Sequence, residues 1–121
     1  MRRKADHLVP LEVSILEAAM ALHRQGTAQF HGYRLAQVLK TDADRRTLTA
    51  YGTLYRALHR LERAGVIESF WEDAADAEAA NRPRRKLYRT TPLAQAVLAR
   101  EYAQRKEHRK LRMLKEQWGT L

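Results

Sequence analysis

The stretch TAYGTLYRALHRLERAGVIES, Thr49 to Ser69, decides how this sequence is read. On a helix of about 3.6 residues per turn, Leu54, Ala57, Leu58 and Leu61 fall on one side, with Tyr51 near its edge. Gly52, Arg56, His59, Arg60 and Arg63 fall on the other side, flanked by Thr53. The run therefore reads as an amphipathic helix that starts near Thr49 or Ala50 and ends at Gly65. A basic helix of this size fits the major groove of B-DNA, where Arg can reach guanine O6 and N7. Residues near the start of such a helix usually reach base edges and later ones usually meet phosphate, and Thr49 is counted among the candidate DNA-binding residues. Thr53 and Tyr55 offer hydroxyls, and Gly52 would let a backbone come close. Exposed helix faces are commonly charged without binding anything, and Glu62 dilutes the positive field. Taken alone, the helix leaves a solvated face open as the alternative.

Downstream, Val66 to Trp71 has the apolar, β-branched character of a strand. The polar, Ala-rich EDAADAEAANRP (72–83) reads as a loop, and RRKLYRTT (84–91) as a second strand, giving a hairpin. Asn81, Arg82, Arg84, Arg85 and Lys86 cluster after the loop as a basic wing tip. Such a tip can lie along phosphates or enter the minor groove, where Arg is favoured. The acidic EDAADAEA run counts against this, or confines it to the Asn81–Lys86 side.

Upstream, residues 1–9 form a basic arm. Pro10 suits the first position of a helix, Glu12 sits in its first turn, and Leu11, Ile15, Ala18, Ala19 and Leu22 give its stripe before an end near Gly26. A second helix is expected from about Gly32 to Lys40 on Leu35, Val38 and Leu39, with His31 placed to cap or support it. TDADRRT (41–47) reads as a turn. Thr91 is placed to cap a last helix running from Pro92 to Trp118. The order is three helices, two strands and a helix. It gives an α+β fold, mainly α: a winged helix-turn-helix over 10–91 and a C-terminal dimerisation helix within 92–121.

Composition narrows the partner. With 121 residues the chain makes about one domain, and 23 Lys and Arg against 14 Asp and Glu give a net charge of +9. That balance suits a polyanion, nucleic acid first, ahead of an anionic membrane surface or a merely solvated exterior. The absence of Cys excludes a disulfide scaffold, a thiolate zinc site and a cysteine nucleophile. No apolar run approaches the roughly 18 residues of a membrane span. The opening MRRKADHLVPLEVSILEAAM loosely resembles a signal peptide, but Glu12 and Glu17 interrupt it, so a cytoplasmic location is expected. There is no HExxH, no Gly-rich phosphate loop and no placeable pair of acids, and the five His residues are scattered. An enzyme, a metal site and a cofactor are therefore not expected. Two other functions stay open: a protein-interaction winged helix, and RNA or non-specific nucleic-acid packaging. Steep salt dependence on duplex DNA separates the first from DNA binding.

The last helix carries two apolar clusters at helical spacing, Leu93, Val97, Leu98 and Tyr102, then Leu111, Leu114 and Trp118. The polar AQRKEHRK lies between them, so one cluster can pack on its own domain while the other reaches a partner subunit. Leu98, Tyr102, Leu111, Leu114 and Trp118 are the expected dimerisation residues. Seven basic and three acidic residues in 92–118 disfavour parallel in-register pairing, leaving an antiparallel or crossed arrangement.

HGYRLAQVL (31–39), GTLYRALHRLERAGVIES (52–69) and RRKLYRTT (84–91) together resemble the PadR family of bacterial transcriptional regulators. The central segment is the most specific, with Gly52, Leu54, Tyr55, Leu58, Leu61, Glu62 and Gly65 in the family pattern. His31, Gly32 and Tyr33 resemble the second-helix signature, and Arg85, Lys86, Tyr88 and Thr91 the second wing strand. The resemblance covers about residues 8–100. It implies a winged helix-turn-helix homodimer that represses transcription from palindromic double-stranded DNA operators. It further implies the compact subclass with one short dimerisation helix. Tyr33 then resembles a phosphate-contacting tyrosine, and Tyr51, Thr53 and Arg56 lie on or near the groove-reading part of the recognition helix. A small aromatic effector at the dimer interface is also implied, with Trp118, Met113 and Met20 as candidate lining. Two positions depart from the pattern. Thr91-Pro92-Leu93-Ala94 stands where a T-x-x-G stretch is common, and Tyr51 where Pro or Ser often precedes the glycine.

Overall fold

The computed structural model describes residues 8–41 and 51–118. Eight elements follow one another: α1 (Pro10–Arg24), β1 (Phe30–His31), α2 (Gly32–Thr41), α3 (Tyr51–Arg63), β2 (Ile67–Trp71), α4 (Ala74–Ala79), β3 (Lys86–Thr90) and α5 (Pro92–Trp118). The fold is α+β and mostly helical, with one small sheet. The basic arm falls mainly outside the described residues, as do Thr49 and most of the 41–47 turn.

The helices form where apolar periodicity places them. Ile15, Leu16 and Leu22 of α1, Leu35 and Leu39 of α2, and Leu54, Leu58 and Leu61 of α3 are buried against one another. Burying each such side chain contributes about 1.5–3 kcal/mol. The end of α3 is set by Gly65, whose φ of +79° only glycine adopts without strain. The Val66 N–H then bonds the Leu61 carbonyl at 3.0 Å and the Gly65 N–H the Glu62 carbonyl at 3.0 Å, satisfying two terminal acceptors. From that turn the chain enters β2.

The sheet has three strands where the sequence suggested two. β3 lies between β1 and β2, antiparallel to both, with Phe30 opposite Tyr88 and Ser69 opposite Tyr88 on the other side. Buried Phe30 stacks on Tyr88 at 6.0 Å, which fixes the two-residue β1. A second difference lies in 72–83, expected as a loop. It contains α4, because Asp73 accepts the Ala75 N–H at 2.8 Å, Ala77 is buried, and Asn81 takes φ +57°. That left-handed asparagine lets the Asn81 and Arg82 N–H groups bond the Glu78 and Ala77 carbonyls, closing the helix.

Thr91 does not use its hydroxyl as the expected cap of α5. It donates to the carbonyls of Gly65 and Val66, tying the start of α5 to the turn after α3. α5 then runs about 40 Å. Ala94, Val97 and Leu98 join the core, and from Arg105 to Trp118 every residue is exposed. Leu98, expected at the dimer contact, is a core residue of its own chain.

Candidate nucleic-acid interface

On α3, Gly52, Tyr55, Arg56, His59 and Arg63 are exposed and Thr53 is half-buried, with Arg56 Nη2 donating to Thr53 Oγ1 at 3.3 Å. Tyr51 opens the helix. Arg60 departs from the expected basic face. It pairs with the carboxylate of Glu12, which is 1% exposed, and Arg60 Nη2 lies 3.2 Å from Glu12 Oε1. Glu12 also accepts the Val9 N–H at 2.9 Å, so one buried acid caps α1 and fastens α3 to it. A buried carboxylate needs such partners because desolvation is costly.

The start of α2 lies beside α3. His31 caps it, its Nδ1 accepting the Arg34 N–H at 3.1 Å, so that nitrogen carries no proton. Burial, then the positive charges of Arg85 and Arg82, holds the His31 pKa below its ordinary 6.5. The ring lies near-parallel to that of Tyr33 at 6.3 Å, and Tyr33 is 55% exposed. A Cβ at Gly32 would come within 2.4 Å of the Tyr55 hydroxyl, so the glycine gives Tyr55 its place. A Cβ added at Gly52, expected to serve close approach, would meet the Arg56 side chain at 3.6 Å, an ordinary contact.

The third wall is the wing formed by β2, α4 and β3. Lys86 Nζ sits 3.9 Å from Glu62 Oε1 and 5.9 Å from the centre of the Tyr88 ring, and Glu62 also accepts the Ser69 hydroxyl. Tyr33, Tyr55, His59, Arg85 and Lys86 line one cleft of about 420 Å³. The structure thus brings together residues from the second helix, the third helix and the second wing strand. It does not deliver the whole wing tip to that cleft. Arg82 is held by Glu72 through both guanidinium Nη atoms, and Arg84 Nε donates to the Glu72 carbonyl at 2.7 Å. Asn81 is exposed, and its backbone N–H helps to close α4.

At the other end of the molecule, the Tyr102 hydroxyl donates to Glu17 of α1, and burial followed by that bond pushes the phenol pKa up to about 12. Met20, Leu98 and Tyr102 line a cleft of about 340 Å³ between α1 and α5. Met113 and Trp118 lie exposed on the distal part of α5 with Leu111 and Leu114.

The partners of Glu12, Glu62 and Glu72, namely Arg60, Lys86 and Arg82, are what sequence reasoning did not find. Glu12 and Glu72 draw Arg60 and Arg82 away from the surface, and no periodic signal announces either pairing. Among the described residues no helix is long and apolar enough to cross a membrane, and no group of three or more His, Asp or Glu is placed to hold a metal.

The profile of the PadR-like family of transcriptional regulators matches residues 21–100. An uncharacterized protein of Lysinibacillus sphaericus is 32% identical over 80 residues, spanning 64% of this chain and 69% of that protein. Two solved structures share the fold. A transcriptional regulator from Clostridium thermocellum has a TM-score of 0.63 at 22% identity, covering 84% of each chain. A PadR family transcription regulator from Clostridium difficile has a TM-score of 0.57 at 23% identity, covering 88% of this chain and 96% of that one. The winged helix-turn-helix architecture and the recognised motifs agree with these matches, and the chain belongs to the PadR-like family of transcriptional regulators.

Proposed function

We propose that the protein acts in the cytoplasm as a homodimer that binds double-stranded DNA sequence-specifically at a palindromic operator and represses transcription. The observation that supports this reading is the cleft in which Tyr33, Tyr55, His59, Arg85 and Lys86 converge from three elements beside the exposed Arg56 and Arg63. A phosphate backbone following that cleft would bring the start of α3 to the major groove. Thr53 and Arg56 then face base edges, the role that the resemblance implies for Tyr51 as well. Arg63 and Tyr33 take phosphates, and Arg85 and Lys86 lie along the backbone from the wing. Arg60 and Arg82 have structural duties instead.

The distal part of α5 supports the dimer. At about 100° per residue, the Leu111–Leu114–Trp118 stripe is turned by about 120° from the Ala94–Val97–Leu98 face. It therefore cannot fold back on its own core, and Trp118 is 64% exposed. A second subunit is the partner that operator symmetry asks for. The cleft between α1 and α5 is the place for a small aromatic effector, with Met20 and Leu98 as apolar lining.

The test is selection of bound duplexes from a random pool. Recovered sites with two-fold symmetry are expected. Recovery of no common sequence, with shallow salt dependence, would favour the protein-interaction module; a salt-steep but sequence-blind result would favour packaging.

A further inference from the structure

Glu72 follows β2 and is 7% exposed, although it lies in a segment that the sequence presents as an acidic loop. Its carboxylate takes Arg82 through both Nη atoms, one of these bonds at 2.7 Å, and receives the Arg85 backbone N–H at 3.4 Å. Its own N–H bonds the Arg85 carbonyl at 2.8 Å, and its carbonyl accepts Arg84 Nε at 2.7 Å. One residue thus closes the wing around α4 and engages three successive cationic positions. A two-pronged guanidinium–carboxylate contact is among the stronger side-chain pairings and is geometrically fixed.

The three arginines are held differently. Arg82 is held by the carboxylate through both Nη atoms. Arg85 Nη2 is 3.5 Å from Glu72 Oε2, a loose contact, and Arg85 Nε is buried with no hydrogen-bond partner. Arg85 also lines the cleft beside Tyr55 and His59, whereas Arg82 and Arg84 line a separate one with Glu78 and Asn81. The exposed Asp73, Asp76 and Glu78 on and beside α4 would repel a phosphate backbone at that second position.

We propose that Glu72 is a positioning residue for DNA recognition: it withholds Arg82 and Arg84 at the acidic outer side of the wing and sets Arg85 and Lys86 toward α3. This rests on the DNA-binding reading above. The clasp lowers the number of phosphate contacts the wing could make indiscriminately, and orients those it does make. Specificity is the ratio of selected to random binding, so fewer stray phosphate contacts raise it.

The experiment is a salt series of anisotropy titrations with two labelled duplexes of equal length, one recovered by selection from a random pool and one of mixed sequence. For Arg82→Gln, wild-type affinity within about twofold and an unchanged salt slope are expected; a slope smaller by about 0.9 makes Arg82 a phosphate contact and overturns the proposal. Glu72→Gln removes the charge that holds Arg82 and Arg85, while Arg84 keeps the main-chain carbonyl of residue 72. The mixed duplex is then bound more tightly with a steeper slope, while the selected duplex loses affinity, and adding Arg82→Gln removes about 0.9 of that slope. Equal tightening on both duplexes, as expected from losing one negative charge alone, overturns it. So does a double variant as steep as Glu72→Gln. Should Glu72→Gln fail to fold by circular dichroism, the Arg82→Gln result decides. A wild-type chain that binds neither duplex refutes the DNA-binding reading itself, a result distinct from all of these.

Discussion

Replacing Arg60 by Met separates a structural arginine from a DNA-binding one. Glu12 is 1% exposed and the Arg60 side chain 36% exposed, so the pair lies between the buried and surface limits. Removing one partner of a buried pair costs about 3–5 kcal/mol, and an exposed pair is worth about 0–1 kcal/mol. Glu12 keeps the Val9 N–H in the variant, which lightens the loss. The expected destabilisation is about 2–3 kcal/mol. For a domain of this size that lowers the melting temperature by on the order of 10 °C. Thermal denaturation followed by circular dichroism measures it. Changing Glu12→Gln in the same chain should recover part of the loss, because no buried charge is then left without its guanidinium. Measured below the melting transition, the salt slope on duplex DNA should stay at the wild-type value. A melting temperature unchanged within a degree or two, with a slope smaller by about 0.9, would mean that Arg60 leaves Glu12 to meet phosphate, and would refute this assignment.

Other perturbations have equally definite outcomes. The folded-state pKa of His31 lies below 6.5, so its contribution is complete above pH 6.5 and is lost as pH falls from 6.5 toward that lower value; His31→Asn, which keeps a cap acceptor, should lose less melting temperature than wild type between pH 7 and 5, and parallel losses would contradict the capping role. Arg56→Ala should weaken the selected duplex by about 1–3 kcal/mol relative to random DNA, whereas equal weakening on both makes Arg56 a phosphate contact only. Leu114→Ser combined with Trp118→Ser should give a folded monomer in sedimentation, while Leu98→Ala should cost about 2–5 kcal/mol of stability. A double variant that stays dimeric would remove the distal stripe from the interface.

The main helices were legible because a stripe such as Leu54–Leu58–Leu61 repeats at the helical period. β1 was not, since two residues carry no period and its existence depends on Phe30 meeting Tyr88. α4 was hidden in an acidic, Ala-rich run because what makes it a helix is the pairing of the Asp73 cap with the left-handed Asn81. At the candidate interface, the exposure of Arg56 and Arg63 followed from helix geometry. The difference between Arg56 and Arg60 did not, because it is set by an acid on α1 that is 48 residues away from Arg60 in sequence. The same holds for Arg82 and Glu72. Charge counts locate a basic surface, but the buried acids that thin it out are visible only once the chain is folded.

The central claim is that one double helix touches α3 and the wing together. Amide chemical-shift mapping during titration with a selected duplex tests it most directly. The account predicts that Gly52, Tyr55, Arg56 and His59 shift in step with Arg85 and Lys86, while Leu111–Trp118 stay still. Shifts confined to α5, or wing signals that never move when those of α3 do, would contradict it.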